Sequence, residues 1–341
     1  MRTSTFFYPE RPSCGPADDL RNRYSLNQDL WREYWSQVRS ELLALLPQLP
    51  DKFPEELVKR FPRYYQDLNM RAQSVVCAYA FLAHKRHLAA TQIVTQKNTD
   101  LDNKYGEFRD YDSHLHENIF SENLFWTGSY QAIRQHLTSL LFAINDVKIE
   151  AEVKWKGDNQ YIIFQDYTVC VRKYPRMGET KCSAYYHPFD IEGQNETDTV
   201  HIHFNISNDR FDSIGYCKLF YASVFPDLLK LNVNLAETYY KSCREASDSR
   251  EFMLNAGRLA HVLVHSDLVI RGNATIIEEL INTLAEEKNL QLDLFSYHDR
   301  LTWDWKALLT PSREAYAVWY ADHCYQHVTE NSRMFNKKQK M

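Results

Sequence analysis

Apolar positions near the start of the chain recur at helical spacing. Leu26, Leu30, Tyr34, Val38, Leu42 and Leu45 step by three and four, which predicts an amphipathic helix that Ser25 caps and Pro47 stops. The stretch Pro47 to Pro62 holds four prolines. It reads as a connector with at most one short helix, begun at Pro54, in the first-turn position where a missing N–H matters least. The Ala-rich run from Tyr64 to Val94 predicts a long helix buried on one side. Residues 95–123 turn to Asn, Asp, Lys, Glu and His without period, the mark of an exposed loop region. Ile133, Leu137, Leu140, Leu141 and Ile144 then share one face of a helix over about 128–145.

The period changes after residue 149. Segments 150–155 and 161–173 are joined by Lys-Gly-Asp-Asn, a hairpin turn signal, and 183–189 and 199–206 continue the β-branched and aromatic alternation. Four antiparallel strands account for it most simply. Helical pattern returns near 214–246, 249–264, 273–288 and 311–332. The expected class is therefore α+β: a helical N-terminal part, a central antiparallel β-meander of about four strands, and a helical C-terminal part. The expected organisation is an extended arm over 1–24, a helical region over 25–146, the meander over 147–210, a helical region over 211–334 and a basic tail over 335–341.

Composition narrows the function classes. The 341 residues are 44% apolar and 25% charged, with a formal charge of −5, enough for a full core and without the basic excess of a nucleic-acid binder. Few turns are expected from 9 Gly and 11 Pro. The 22 Tyr, 18 Phe and 7 Trp imply many half-buried rings, either at core edges or on an aromatic face that recognises a partner protein. Seven scattered cysteines without a C-x-x-C pair argue for reduced thiols in a reducing compartment. Residues 1–16 lack the apolar stretch of a signal peptide, and no run approaches the roughly 20 apolar residues of a transmembrane helix. The expectation is a soluble chain of the bacterial cytoplasm or, for an effector, the host cytosol. The sequons at Asn195, Asn205 and Asn273 then carry no sugar.

The serine-hydrolase elbow, the P-loop, the dinucleotide fingerprint and H-E-x-x-H are all absent from the sequence. The most informative stretch is 255–288. Asn273 stands where a helix cap belongs, Gly272 precedes it, and a helical run follows. A helix start offers free N–H groups to an anion, and the Arg271 guanidinium beside it can clamp phosphate or carboxylate, with Thr275 in the first turn. His261 and His265, four apart, fall on one helix face and would deliver an acid–base group, with Asp267 a secondary candidate and Glu278 in support. The competing reading is an ordinary helix cap with a surface arginine.

Arg271-Gly272-Asn273-Ala274-Thr275-Ile276-Ile277-Glu278 resembles an R-G-S/N-A-x-I-x-E helix start of bacterial secreted effectors and toxins. His265 followed by Gly272-Asn273 is distantly similar to the Fic nucleotide-transfer loop, H-P-F-x-D/E-G-N-G-R. The chain departs from that loop in its Ser266, in its spacing and in having no arginine after Asn273. The resemblance covers about thirty residues. It implies transfer of a nucleotide-derived group, from ATP or NAD, to a host protein, with His265 as base and Arg271 and the helix start on phosphate. The alternative is a non-catalytic interaction module.

No metal is assigned, although two sets of residues have ligand chemistry. His265-Ser266-Asp267 with His323 has the order of an iron facial triad, and His201 and His203 with His261 or His265 have the chemistry of a zinc site. Cys14 reads as an inert thiol, and Ser113 to Glu117 as a solvated loop cluster.

Overall fold

The structure, a computed structural model, describes residues 28–92, 104–109, 115–121, 152–156, 159–163, 167–174, 179–186, 200–207, 210–219, 226–266, 268–293, 303–310 and 313–330. The expected arm, the Ser25 cap, the helix over 128–145, Asp267 and the basic tail lie outside these residues.

Helix α1 spans Gln28–Leu45 and passes into a 3₁₀ turn at Leu46–Gln48, where Pro47 ends the α geometry. Its buried stripe is Trp31, Trp35, Val38, Leu42 and Leu46, while Leu30 is 58% exposed. The predicted face was thus rotated by about one position. Two indoles bury more apolar surface than Leu26 and Leu30 would, and they set the helix orientation.

The connector holds one short helix, α2 at Glu55–Val58, with Pro54 at its N-cap. The long helix expected from Tyr64 is broken. A short α3, Arg63–Asp67, ends before Asn69, which takes a left-handed φ of 52°, a conformation Asn tolerates better than most residues. A 3₁₀ turn follows, and α4 then runs Ser74–Gln92. From Val75 to Ala83 every residue of α4 is buried, so it is a central helix and not a one-sided one. Its first turn is closed by a carboxylate from elsewhere in the chain: the Val75 N–H donates to Glu237 Oε2 at 2.8 Å.

Helix α5 spans Pro226–Glu245, with proline as its first residue. Helices α6 (Ser249–Ser266) and α7 (Asn273–Glu287) are buried almost throughout and complete the core around α4. Short α8 (Trp303–Leu309) and α9 (Arg313–His323) pack on α6. Gly257 permits the α6–α9 crossing, since a Cβ there would lie 2.9 Å from both Ala317 Cα and Tyr320 Cβ. Strands β8 (Leu290–Leu292) and β9 (Val328–Glu330) form a two-stranded antiparallel pair.

The expected fold class is overturned. The packed body is nearly all helical, its one small sheet being β8–β9, and no four-strand meander sits at its centre. The remaining backbone strands pair in an antiparallel seven-stranded ladder in the order β1-β7-β6-β5-β4-β3-β2. These strands are β1 (Leu115–Ser121), β2 (Glu152–Lys156), β3 (Asn159–Ile163), β4 (Tyr167–Tyr174), β5 (Glu179–Tyr186), β6 (Val200–Ser207) and β7 (Arg210–Leu219). Three sequence readings fail here. The supposed single strand 161–173 is interrupted after Ile163. Residues 214–219, read as helix, belong to β7, and 115–121, read as loop, pair with β7 from Leu115↔Leu219 to Ser121↔Ser213. Lys156 does face Asn159 across the first hairpin, as Lys-Gly-Asp-Asn implies.

The loop reading also fails at 104–109. Gly106 N–H donates to Arg271 O at 3.0 Å, Ile270 N–H to Glu107 O at 2.8 Å and Arg109 N–H to Leu268 O at 3.1 Å. The strip is stitched to the segment between α6 and α7, with Tyr105 and Arg109 buried. Among the described residues no helix is long and apolar enough to cross a membrane.

Candidate functional site

The turn before α7 differs from its sequence reading. Gly272, not Asn273, is the N-cap, with a φ of 86° that favours glycine. Asn273 is the first helical residue and caps nothing. Its Oδ1 accepts the Tyr79 hydroxyl at 2.6 Å and its Nδ2 donates to Leu263 O at 3.3 Å, so it ties α4, α6 and α7 together. Gly272 is closely approached: a Cβ would meet Arg86 Cγ at 3.1 Å and Tyr105 Cδ1 at 3.2 Å. The Arg86 guanidinium lies 4.0 Å from the Tyr105 ring centre and 5.3 Å from that of Trp31. Arg271 is half-buried and Thr275 buried.

The supposed acid–base groups are core residues. His265 is fully buried; its Nδ1 donates to His261 O at 2.8 Å, and the two imidazoles lie tilted at 34° with centres 4.2 Å apart. His261, also fully buried, donates from Nε2 to Thr310 O at 2.9 Å and packs on Tyr316. Glu278 is buried and accepts the Trp303 indole N–H at 3.4 Å. None of the three faces solvent, where a substrate would have to arrive. The structure therefore keeps Arg271 at a partly open turn and encloses His261, His265 and Glu278 in the core.

Burial pulls the His261 pKa down to about 4, because a second N–H would have no acceptor: Nδ1 has no hydrogen-bond partner among the described residues. The unfolded chain takes up this proton below about pH 6.5 and the folded chain only near 4. Stability from the neutral ring should then be lost as pH falls from 6.5 to 4, by roughly 3 kcal/mol in full. Urea unfolding of wild type and His261→Gln at pH 7.5 and 4.5 checks this. Wild type should lose more than the variant, and equal losses would remove His261 as the cause.

A cleft of about 310 Å³ opens on another side of α4, lined by Leu57, Arg60, Phe61, Ala80, His84, His87 and the strip Gly106 to Phe108. Arg60 ends the turn after α2, and His84 and His87 stand one helical turn apart on α4. Gly106 brings the strip hard against α4, and its left-handed φ of 69° leaves the Ala83 carbonyl where a Cβ would go. Phe61 and Phe108 meet edge-on at 6.1 Å.

The polar groups have assignable proton states. Arg60 Nη1 contacts His84 Nδ1; a guanidinium only donates, so Nδ1 accepts and the His84 proton sits on Nε2. Burial first, then Arg60, Lys85 and His87, push the His84 pKa down to about 4. His84 is thus a neutral N–H donor at neutral pH. His87 has the opposite tautomer, since its Nδ1 lies 3.3 Å from Tyr105 O and a carbonyl only accepts. In the neutral ring Nε2 is then the acceptor nitrogen. A guanidinium, a neutral imidazole donor, an oriented imidazole base, the Glu107 carboxylate and two rings therefore share one opening.

Sequence reasoning passed over these residues. The signal was His84-Lys85-Arg86-His87, four basic or titratable residues interrupting an otherwise apolar helix. Glu107 had no local signal. Of the iron set, His323 is exposed at the end of α9 while His265 is buried, and Asp267 lies outside the described residues. Among the described residues no group of three or more His, Cys, Asp or Glu is placed to hold a metal ion. His201 and His203 lie two apart on β6, whose side chains are outside the description. No protein-family model matches the chain, and a search of curated proteins finds no match to it.

Proposed function

We propose that this protein binds a small phosphate-bearing ligand of the nucleotide type, as co-substrate of a group transfer, and that the ligand occupies the α4 cleft rather than the turn at 271–275. The observation that carries the reading is the clustering of Arg60, the N–H donor His84 and the oriented base His87 around one aromatic-floored opening. An anion there meets a permanent cation and a neutral donor without an imidazole having to be protonated first. His87 takes the base role that the resemblance implied for His265, because it lines the cleft while His265 is buried in the core. A host protein as acceptor of the group remains part of the proposal and rests on the effector-like helix start at Arg271.

The interaction-module alternative is less well supported. It drew on surplus aromatic side chains, yet the largest fully buried side chains are Trp31, Trp35, Tyr64, Tyr65, Tyr79, Tyr240, Tyr316, Tyr320 and Phe252. The exposed large apolar residues among those described, Leu30, Leu231 and Val318, lie on three different helices.

A thermal-shift comparison tests the proposal, using ATP, AMP, NAD and inorganic phosphate against wild type, Arg60→Ala and Arg271→Ala. A ligand at a hundredfold its dissociation constant adds about 2.7 kcal/mol of apparent stability. The shift should vanish in Arg60→Ala, whose side chain is exposed, and survive in Arg271→Ala. The reverse pattern returns the anion to the turn, and no shift with any compound rejects the proposal.

A further inference from the structure

We infer that the ligand of the α4 cleft carries an N–H-donating amine as well as an anionic group, together with a single planar ring system. The inference rests on the reading of the cleft as a ligand site and adds the class of molecule it selects.

Glu107 is the reason. Its backbone is fixed by the Ile270 N–H on its carbonyl, and its exposed side chain lines the cleft. The carboxylate forms no ion pair or hydrogen bond among the described residues. A purely anionic ligand would be repelled by it. Arg60 is not paired with it: the guanidinium's described contact is to the neutral His84 ring, which leaves its positive charge uncancelled. The opening thus presents a cation and a carboxylate as separate charges, complementary to a molecule that has an anion and a donor amine. In the same opening Phe108, half-buried and edge-on to both Phe61 at 6.1 Å and Tyr65 at 5.1 Å, supplies an apolar surface for a ring.

Size completes the argument. At about 310 Å³ the cleft stands at the small end of ligand sites, which run from about 300 to 1,000 Å³. It suits one ring with one anionic group, so a dinucleotide such as NAD is disfavoured. Two sources share the chemistry: an amino-bearing mononucleotide and an aromatic amino acid.

Isothermal titration of the full chain with AMP, purine riboside 5′-monophosphate and phenylalanine separates them. The two nucleotides differ only in the exocyclic amine, whose bond to a carboxylate should give AMP at least a tenfold advantage. Glu107→Ala should abolish that ratio by tightening the amine-free nucleotide, which the carboxylate repels, and by removing the amine's partner in AMP. Phenylalanine bound by wild type and lost in Glu107→Ala, with neither nucleotide bound, supports the inference with an amino acid as the source. Equal affinities for the two nucleotides overturn it while leaving the anion site standing. No binding of any of the three overturns the cleft reading together with it.

Discussion

Gly106→Ala is expected to destabilise the protein by about 3–5 kcal/mol and to abolish ligand binding in the α4 cleft. Two penalties coincide at this residue. The φ of 69° is left-handed, and the new Cβ would stand 2.0 Å from Ala83 O, 2.9 Å from Ala83 C and 3.0 Å from His87 N. All three are backbone atoms of a central helix and cannot swing aside as a flexible side chain would. Relief requires the strip 104–109 to lift from α4. That breaks the bonds from Gly106 to Arg271 and between Glu107 and Ile270, and it moves Glu107 and Phe108 away from the cleft. Gly272→Ala is the control. It shares the left-handed backbone, but its Cβ would meet Arg86 and Tyr105 side-chain atoms at 3.1–3.3 Å, so a smaller loss of about 1–2 kcal/mol is expected. Thermal unfolding of both variants ranks the two sites. A Gly106→Ala melting temperature within about 2 °C of wild type would mean that the close approach to α4 is not maintained.

What could be read from sequence, and what could not, follows from how local each signal is. The α1 period, the proline-rich connector and the helices around 249–266 and 273–287 were visible because apolar spacing and helix punctuation are local properties. The face of α1 was misplaced because Trp31 and Trp35 compete with Leu26 and Leu30, and only the surface they pack against decides between them. Strand β1 and the strip 104–109 were invisible, since their backbone partners lie some hundred or more residues away and polar composition alone reads as loop.

The candidate site failed in an instructive way. Arg271-Gly272-Asn273 was correctly seen as a helix start, but the cap is the glycine, and the asparagine is consumed by Tyr79 and Leu263. His261 and His265 do share a helix face, as four-residue spacing requires. That face points into the core, and spacing cannot say which way a face points in a helix that is apolar on nearly every side. The cleft is assembled from α4, the turn after α2 and the strip at 106–108. No single stretch of sequence contains enough of it to be recognised.

Arg39→Met should destabilise the protein by about 3–5 kcal/mol at pH 8 and far less at pH 5. Arg39, on α1, is 5% exposed and bridges two acids of α7, Glu279 at 3.0 Å and Glu286 at 2.8 Å. Glu279 is fully buried. Burial raises its pKa to about 7 even though Arg39 pulls it down. A carboxyl raised in the folded state favours folding most when it is protonated. Its contribution is greatest below the unfolded pKa near 4.5 and falls as pH rises through about 7. Without the guanidinium the pKa rises further, and at pH 8 the folded variant must either bury a bare carboxylate or hold a proton against the solution. At pH 5 Glu279 is neutral in both proteins, so most of the difference disappears. Glu286, partly exposed, stays hydrated throughout. Guanidinium-chloride unfolding at the two pH values measures the effect. The double variant Arg39→Met with Glu279→Leu should recover most of the pH 8 loss, because the buried charge goes with its partner. An equal loss at both pH values, unrelieved by the second substitution, would show that α1 is held to α7 by packing of the arginine stem and not by its charge.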